Sequence, residues 1–212
     1  MFIWFFASVF GLLIAAYLHV KSVQHIKLKK LFGAEKGEKR GETLAKVSGW
    51  LESICLVGLW ISPQASFTLT LFTNKNYFLL GRSFSLTQIF ISLPFIFVGI
   101  WFGLVGLWAV GFDVADSHKI PKTLQTSGVY GYVRHPQYFG WFMAHIGFSI
   151  LLSALYSLLF IPVLLTIIYI ISKAEESDLE EAFGKEYLEY EQRVPMFIPK
   201  ILKRSSTPRK SN

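Results

Sequence analysis

Apolar positions in this chain form long unbroken blocks, and polar positions are confined to the gaps between them. The first block, Phe2 to Val20, holds 19 residues without a formal charge. At 1.5 Å per residue it makes a helix of about 28 Å, enough to cross a bilayer. Lysines follow this block rather than precede it, so it reads as a span and not as a signal peptide. Ser53 to Asn74 and Ser83 to Phe112 are the next two blocks, broken by Pro63 and Pro94, which a membrane helix tolerates. Between Arg134 and Lys173 lie 38 residues without a formal charge. That is about 57 Å of helix, nearly twice the hydrocarbon thickness, so two short antiparallel helices fit better than one. Their turn is expected near Ser153 to Ser157, with a kink at Pro162. Beyond them Leu179, Phe183, Tyr187 and Tyr190 recur at helical spacing, as in an amphipathic helix lying along an interface and packing through that stripe. The expectation is an all-α integral membrane protein of about five transmembrane helices. The last two form a helical hairpin, and a cytoplasmic C-terminal amphipathic helix follows.

Composition agrees: 52% of the residues are hydrophobic and 17% aromatic, which points to lipid as the solvent. The net charge of +7 comes without a basic stripe interleaved with stacking aromatics, so anionic membrane lipids explain it and nucleic acid does not. With alternating spans, nineteen of the 21 lysines and arginines fall on one side, which should be cytoplasmic. The polar segments Asp113–Tyr138 and Lys173–Pro199 then share that face. The single cysteine, Cys55, excludes an internal disulfide framework. Five histidines offer no pair at metal-ligand spacing, so no metal is expected. His145 and Glu52 lie in or beside spans. A lone neutral histidine most simply bonds another helix, and Glu52 is close enough to the interface to snorkel. Residues 1–100 read as N-terminal spans and loops, 101–200 as the region carrying chemistry, and 201–212 as a basic flexible tail.

Two stretches carry that chemistry. In Gly128-Val129-Tyr130-Gly131-Tyr132-Val133-Arg134-His135-Pro136-Gln137-Tyr138, two glycines permit close backbone approach. Arg134, His135 and the tyrosines offer a carboxylate fork, a second donor and aromatic faces. The same residues also suit a juxtamembrane loop in which Arg134 meets lipid phosphate, and Pro136 opens the next helix on either reading. In the second stretch, Glu175 and Glu176 point about 100° apart on a helix, so only one faces a site fully.

The string Gly128-Val129-Tyr130, Arg134-His135-Pro136, Tyr138, Gly140-Trp141, then Glu175-Glu176, Phe183-Gly184, Glu186-Tyr187, Tyr190 and Val194-Pro195 resembles the isoprenylcysteine carboxyl methyltransferases. Less closely, it is similar to the related phospholipid N-methyltransferases. The resemblance covers roughly residues 100 to 200 and implies a multi-span methyltransferase using S-adenosylmethionine. By position it assigns the cofactor to Lys122, Thr123, Leu124, Gln125, Tyr130, His135, Pro136, Gln137, Tyr138 and Glu175, with Arg134 and Glu176 adjoining as candidate catalytic groups. The cofactor's carboxylate suits Arg134 or His135, its amino group and ribose hydroxyls suit Glu175, and its sulfonium suits an aromatic face such as Tyr130.

Three departures from the family stand out. Lys122 and Ala115 occupy positions where eukaryotic members have histidine and glutamine, with His118 a possible substitute. Ile171 replaces the arginine those enzymes use for substrate, and the nearest cation, Lys173, sits on another helical face. The expected acceptor is lipophilic and enters from the bilayer, with an isoprenylcysteine-type carboxylate first. A phospholipid amine or a thiol is the alternative, and a non-catalytic membrane protein retaining the fold is a third reading. A carboxylate needs no base, whereas an ammonium must lose a proton, for which Glu176, Asp113, Asp116 and His118 are candidates.

Overall fold

The computed structural model describes residues 2–71 and 75–198, so the expected basic tail lies outside the described residues. The first helix, α1 (Ile3–Ser22), is followed by the short α2 (His25–Phe32) and the long α3 (Ala34–Ile61). A two-stranded antiparallel hairpin, β1 (Asn76–Leu79) and β2 (Arg82–Ser85), leads into α4 (Leu86–Val110). Then come α5 (Phe112–Ser117), a single 3₁₀ turn at Gly128–Gly131, α6 (Pro136–Leu151), α7 (Leu155–Leu159), α8 (Ile161–Phe183) and α9 (Lys185–Arg193).

Among the described residues three helices, α1, α3 and α4, are long and apolar enough to cross a membrane. The first and third coincide with expected spans, but the second does not. Its helix begins at Ala34, well before the charge-free block, and stops at Ile61. Charged residues from Glu35 to Lys46 do not interrupt a helix, because lysine, glutamate and arginine are good helix formers. Pro63 ends it, since the residue before a proline is driven from the helical region, and Ser62 is extended at ψ 145. Pro94 is accommodated inside α4, as expected, while Pro162 opens α8 instead of kinking it.

The helices α4 and α6 pack in close contact because glycines remove the side chains between them. A Cβ on Gly140 would lie 2.6 Å from the Gly99 carbonyl oxygen and 2.7 Å from the Gly103 nitrogen, both backbone atoms that cannot rotate away. On the other side, α1 lies along α3 and meets α8. Leu12, Cys55, Leu59, Leu164, Ile168 and Ile171 are buried in that core. Ile171 is therefore buried within the apolar core and offers no polar group to a cleft.

The continuous amphipathic helix expected over the Leu179–Tyr190 stripe is two helices, broken at Gly184, whose φ of 54 favours glycine. The stripe nonetheless packs as one group: Tyr187, Tyr190 and Val194 are buried together against Leu124, Leu179 and Phe183.

Candidate active site

Pro136 fixes the start of α6, so His135 stands at the helix entrance and Gln137 and Tyr138 lie in the first turn. Behind α9 the chain doubles back. The backbone N–H groups of Arg134 and His135 donate to the carbonyls of Pro195 and Met196 at 2.9 and 3.2 Å, so residues 194–197 form a strap across the Arg-His-Pro segment.

Arg134 is the centre of this clasp. Its Nε donates to Glu176 Oε1 at 2.7 Å, Nη2 donates to Glu191 Oε1 at 3.1 Å, and Nη1 donates to the carbonyls of Glu191 and Val194. Glu176 Oε1 also lies 3.1 Å from His135 Nε2, and its Oε2 accepts from Lys173 Nζ at 2.9 Å. Both Glu176 oxygens are thus engaged. Burial opposes the charged form of this carboxyl, but bonds from His135, Arg134 and Lys173 hold it well below the usual carboxylate range. His135 balances the same way: burial lowers its pKa, the carboxylates of Glu175 and Glu176 outweigh that, and the net shift is upward.

In front of the clasp opens a cleft of about 1020 Å³ of empty space, some of it continuous with solvent. Its polar wall comprises Tyr130, His135, Gln137, Tyr138 and Glu175, and its apolar wall includes Val110, Val114, Leu124 and Leu179. Leu124, Gln125, Arg134 and Pro136 also line it, whereas Lys122 and Thr123 are exposed and outside it, and Glu176 is buried behind the wall. Of the two adjacent glutamates, then, Glu175 meets the cleft. Its Oε2 is buried with no hydrogen-bond partner among the described residues, although His135 Nδ1 stands 3.5 Å away. A buried carboxylate oxygen without a donor is costly, and a ligand donor relieves it.

One part of the cleft was not foreseen. His19, within an apparently apolar span, bonds Glu52 Oε1 at 2.8 Å through Nδ1 and the Tyr138 hydroxyl at 3.1 Å through Nε2. Glu52 does not snorkel to the interface but is buried in this network. The His118 ring stacks on His19, centroids 4.1 Å apart and planes 15° apart. Histidines 99 positions apart in sequence meet because α1 and the end of α5 border one cleft. The only sequence signal was the ionisable residue beside each span. His145, by contrast, accepts from Trp60 Nε1 at 3.1 Å and so bonds another helix.

Residues 87–186 match the phospholipid methyltransferase family. A Homo sapiens protein-S-isoprenylcysteine O-methyltransferase is 40% identical over 90 residues, covering 41% of this chain and 30% of that protein. Its Schizosaccharomyces pombe namesake is 39% identical over 89 residues, covering 42% and 38%. A methanethiol S-methyltransferase of Crocosphaera subtropica is 39% identical over 85 residues, covering 40% and 32%. The match thus spans roughly a third of the length of these curated relatives. No solved structure matches significantly. The matched segment contains nearly all of α4, all of α6, and Arg134, Glu175 and Glu176, while Glu191 and the strap lie beyond it; over that segment the chain is similar to the phospholipid methyltransferase family and to the protein-S-isoprenylcysteine O-methyltransferases.

Proposed function

We propose that the protein is an S-adenosylmethionine-dependent membrane methyltransferase acting on a lipophilic acceptor. The observation that carries this reading is the buried Glu175 oxygen, held only by a 3.5 Å ion pair with His135 and without a hydrogen bond among the described residues, at a cleft walled by Tyr130, His135 and Tyr138. S-adenosylmethionine, when bound, supplies a methyl group on a positively charged sulfur. The chain's residues fit its groups: Glu175 accepts from an amino or hydroxyl donor, and Tyr130 and Tyr138 offer aromatic faces to the positive charge. Arg134 and Glu176 act from behind, holding His135 and the first turn of α6 in position through the clasp. The apolar wall excludes water, which strengthens each of these contacts.

In this reading the chain has five spans, α6 and α8 forming the hairpin, and the cleft opens on the cytoplasmic side, where the lysine and arginine excess lies. The lipophilic acceptor comes from the bilayer and the cofactor from the cytosol.

The acceptor's chemistry follows from charge. An isoprenylcysteine-type carboxylate needs a cation, but the two cationic side chains lining the cleft are both paired: Arg134 in the clasp, and Lys119 with Glu42 at 2.7 Å. Ile171 supplies none. A thiol needs no cation, and the methanethiol S-methyltransferases among the relatives act on one by name. The geometry favours a thiol over a carboxylate. Methyl transfer from labelled cofactor to an alkanethiol, an S-farnesylcysteine peptide and phosphatidylethanolamine in nanodiscs tests this. Label in the thioether product supports the reading, label only in the methyl ester restores the carboxylate, and label in none removes the enzyme.

A further inference from the structure

The cleft contains one ring nitrogen that the cofactor site does not use. His118 follows α5 with φ 52 and ψ 26, a left-handed backbone that residues with a side chain seldom adopt. Such a conformation persists only where its surroundings hold it. Here they are visible: the ring stacks on His19, and Nδ1 lies 2.7 Å from Ser22 Oγ. The Ser22 hydroxyl has a single hydrogen, which it donates to the His19 carbonyl at 2.7 Å. Its oxygen can therefore only accept from His118, so Nδ1 carries the proton and Nε2 is left bare. His118 lines the cleft, and its Nε2 has no hydrogen-bond partner among the described residues.

From this arrangement we infer that His118 Nε2 is the proton acceptor for a thiol substrate, a catalytic residue whose tautomer is set by Ser22 and whose ring plane is set by His19. The inference rests on the thiol-methyltransferase reading above. In the step, the S–H bond breaks and an N–H bond forms at Nε2. The sulfur keeps the electron pair as a thiolate, and His118 becomes an imidazolium. No other bond changes. The His19 ring that sets the plane of His118 is itself fixed by its bond to the Glu52 carboxylate. Before substrate arrives the ring is neutral at pH 7, because burial lowers its pKa well below the ordinary histidine value and His19 and His25 lower it further. A neutral, bare nitrogen accepts a hydrogen bond from a thiol and repels a carboxylate, which agrees with the pairing of both cleft cations.

The test needs a readout besides turnover. Protein labelled with ¹⁵N in its histidine rings, held in detergent micelles, reports each tautomer by NMR, with His118 assigned through its loss in His118→Asn. Asparagine is the chosen substitute because it tolerates the left-handed backbone. The expected spectrum has Nδ1 protonated and Nε2 bare at pH 7, and Ser22→Ala removes that preference. Adding 1-octanethiol shifts the bare Nε2 signal as that nitrogen accepts a hydrogen bond from the S–H, while octyl methyl sulfide, which has no thiol proton, does not. In turnover, His118→Asn lowers kcat for the thiol by about 100-fold or more with KM little changed. Cofactor binding measured by calorimetry persists in that variant. A proton on Nε2, an equal response to thiol and sulfide, or retained kcat in His118→Asn overturns the role of His118. Loss of cofactor binding by the wild type instead overturns the methyltransferase reading on which it rests.

Discussion

Glu175 and Glu176 are neighbours of the same chemical type, and the structure gives them opposite tasks. Replacing Glu176 by glutamine removes the charge that Arg134, His135 and Lys173 share, while the side chains of Arg134 and Glu176 are only 8% and 5% exposed. Breaking a buried pair costs about 3–5 kcal/mol. Arg134 keeps Glu191 and two carbonyls, so the lower end, about 3 kcal/mol, applies. At about 2–4 °C per kcal/mol for a chain this size, the unfolding temperature should fall by about 6–12 °C. Replacing Glu175 by glutamine costs less stability than replacing Glu176, since its Oε2 has only the longer 3.5 Å pairing with His135. It should instead weaken cofactor binding about ten- to a hundredfold, the worth of one charge-assisted hydrogen bond. Thermal unfolding followed by tryptophan fluorescence in one detergent, with calorimetry of S-adenosylmethionine binding, reads both quantities. An unstable Glu175→Gln beside a stable Glu176→Gln would refute the assignment of the two carboxylates.

Other expectations follow from the packing and the clasp. Gly140→Ala places a methyl against the Gly99 and Gly103 backbones and should cost about 1–3 kcal/mol, whereas Gly103→Ala, whose Cβ meets nothing within 4 Å, should be near neutral in the same unfolding assay. His135 holds its proton more tightly folded than unfolded, so its stabilisation is complete below about pH 6.5 and is lost as pH rises through its raised folded value. The wild-type unfolding temperature should therefore fall as pH climbs above neutrality, and His135→Asn should flatten that slope. Tyr190→Phe removes the bond its hydroxyl donates to the Tyr130 carbonyl at 2.8 Å and should cost about 1 kcal/mol.

How much of this was legible in the sequence depended on what kind of signal each part leaves. The α1 and α4 spans were plain, because an apolar block flanked by charge reports lipid depth directly. The start of α3 was missed for the same reason: freedom from charge marks the lipid-soluble part of a helix, and the charged turns from Glu35 to Lys46 lie beyond it. The motif Arg134-His135-Pro136 with Glu175-Glu176 placed the clasp and the cleft's polar wall in the right region. It did not separate the two glutamates, because helical spacing fixes only the angle between them, and the partners that orient them, Lys173 and Glu191, come from the tertiary fold. The His19, Ser22 and His118 contacts were invisible, since one histidine sits in an apolar block and its partner lies in a loop 99 residues away. Only the packing of α1 against the end of α5 brings them together.

The central claim is that Glu175 and the tyrosine-lined cleft hold S-adenosylmethionine. Calorimetric titration of detergent-purified protein with that cofactor, beside Glu175→Gln and Tyr130→Ala, tests it most directly. The account predicts saturable one-to-one binding by the wild type that is weakened at least tenfold in both variants. Absence of binding by a folded wild type, or equal affinity in all three proteins, would contradict it.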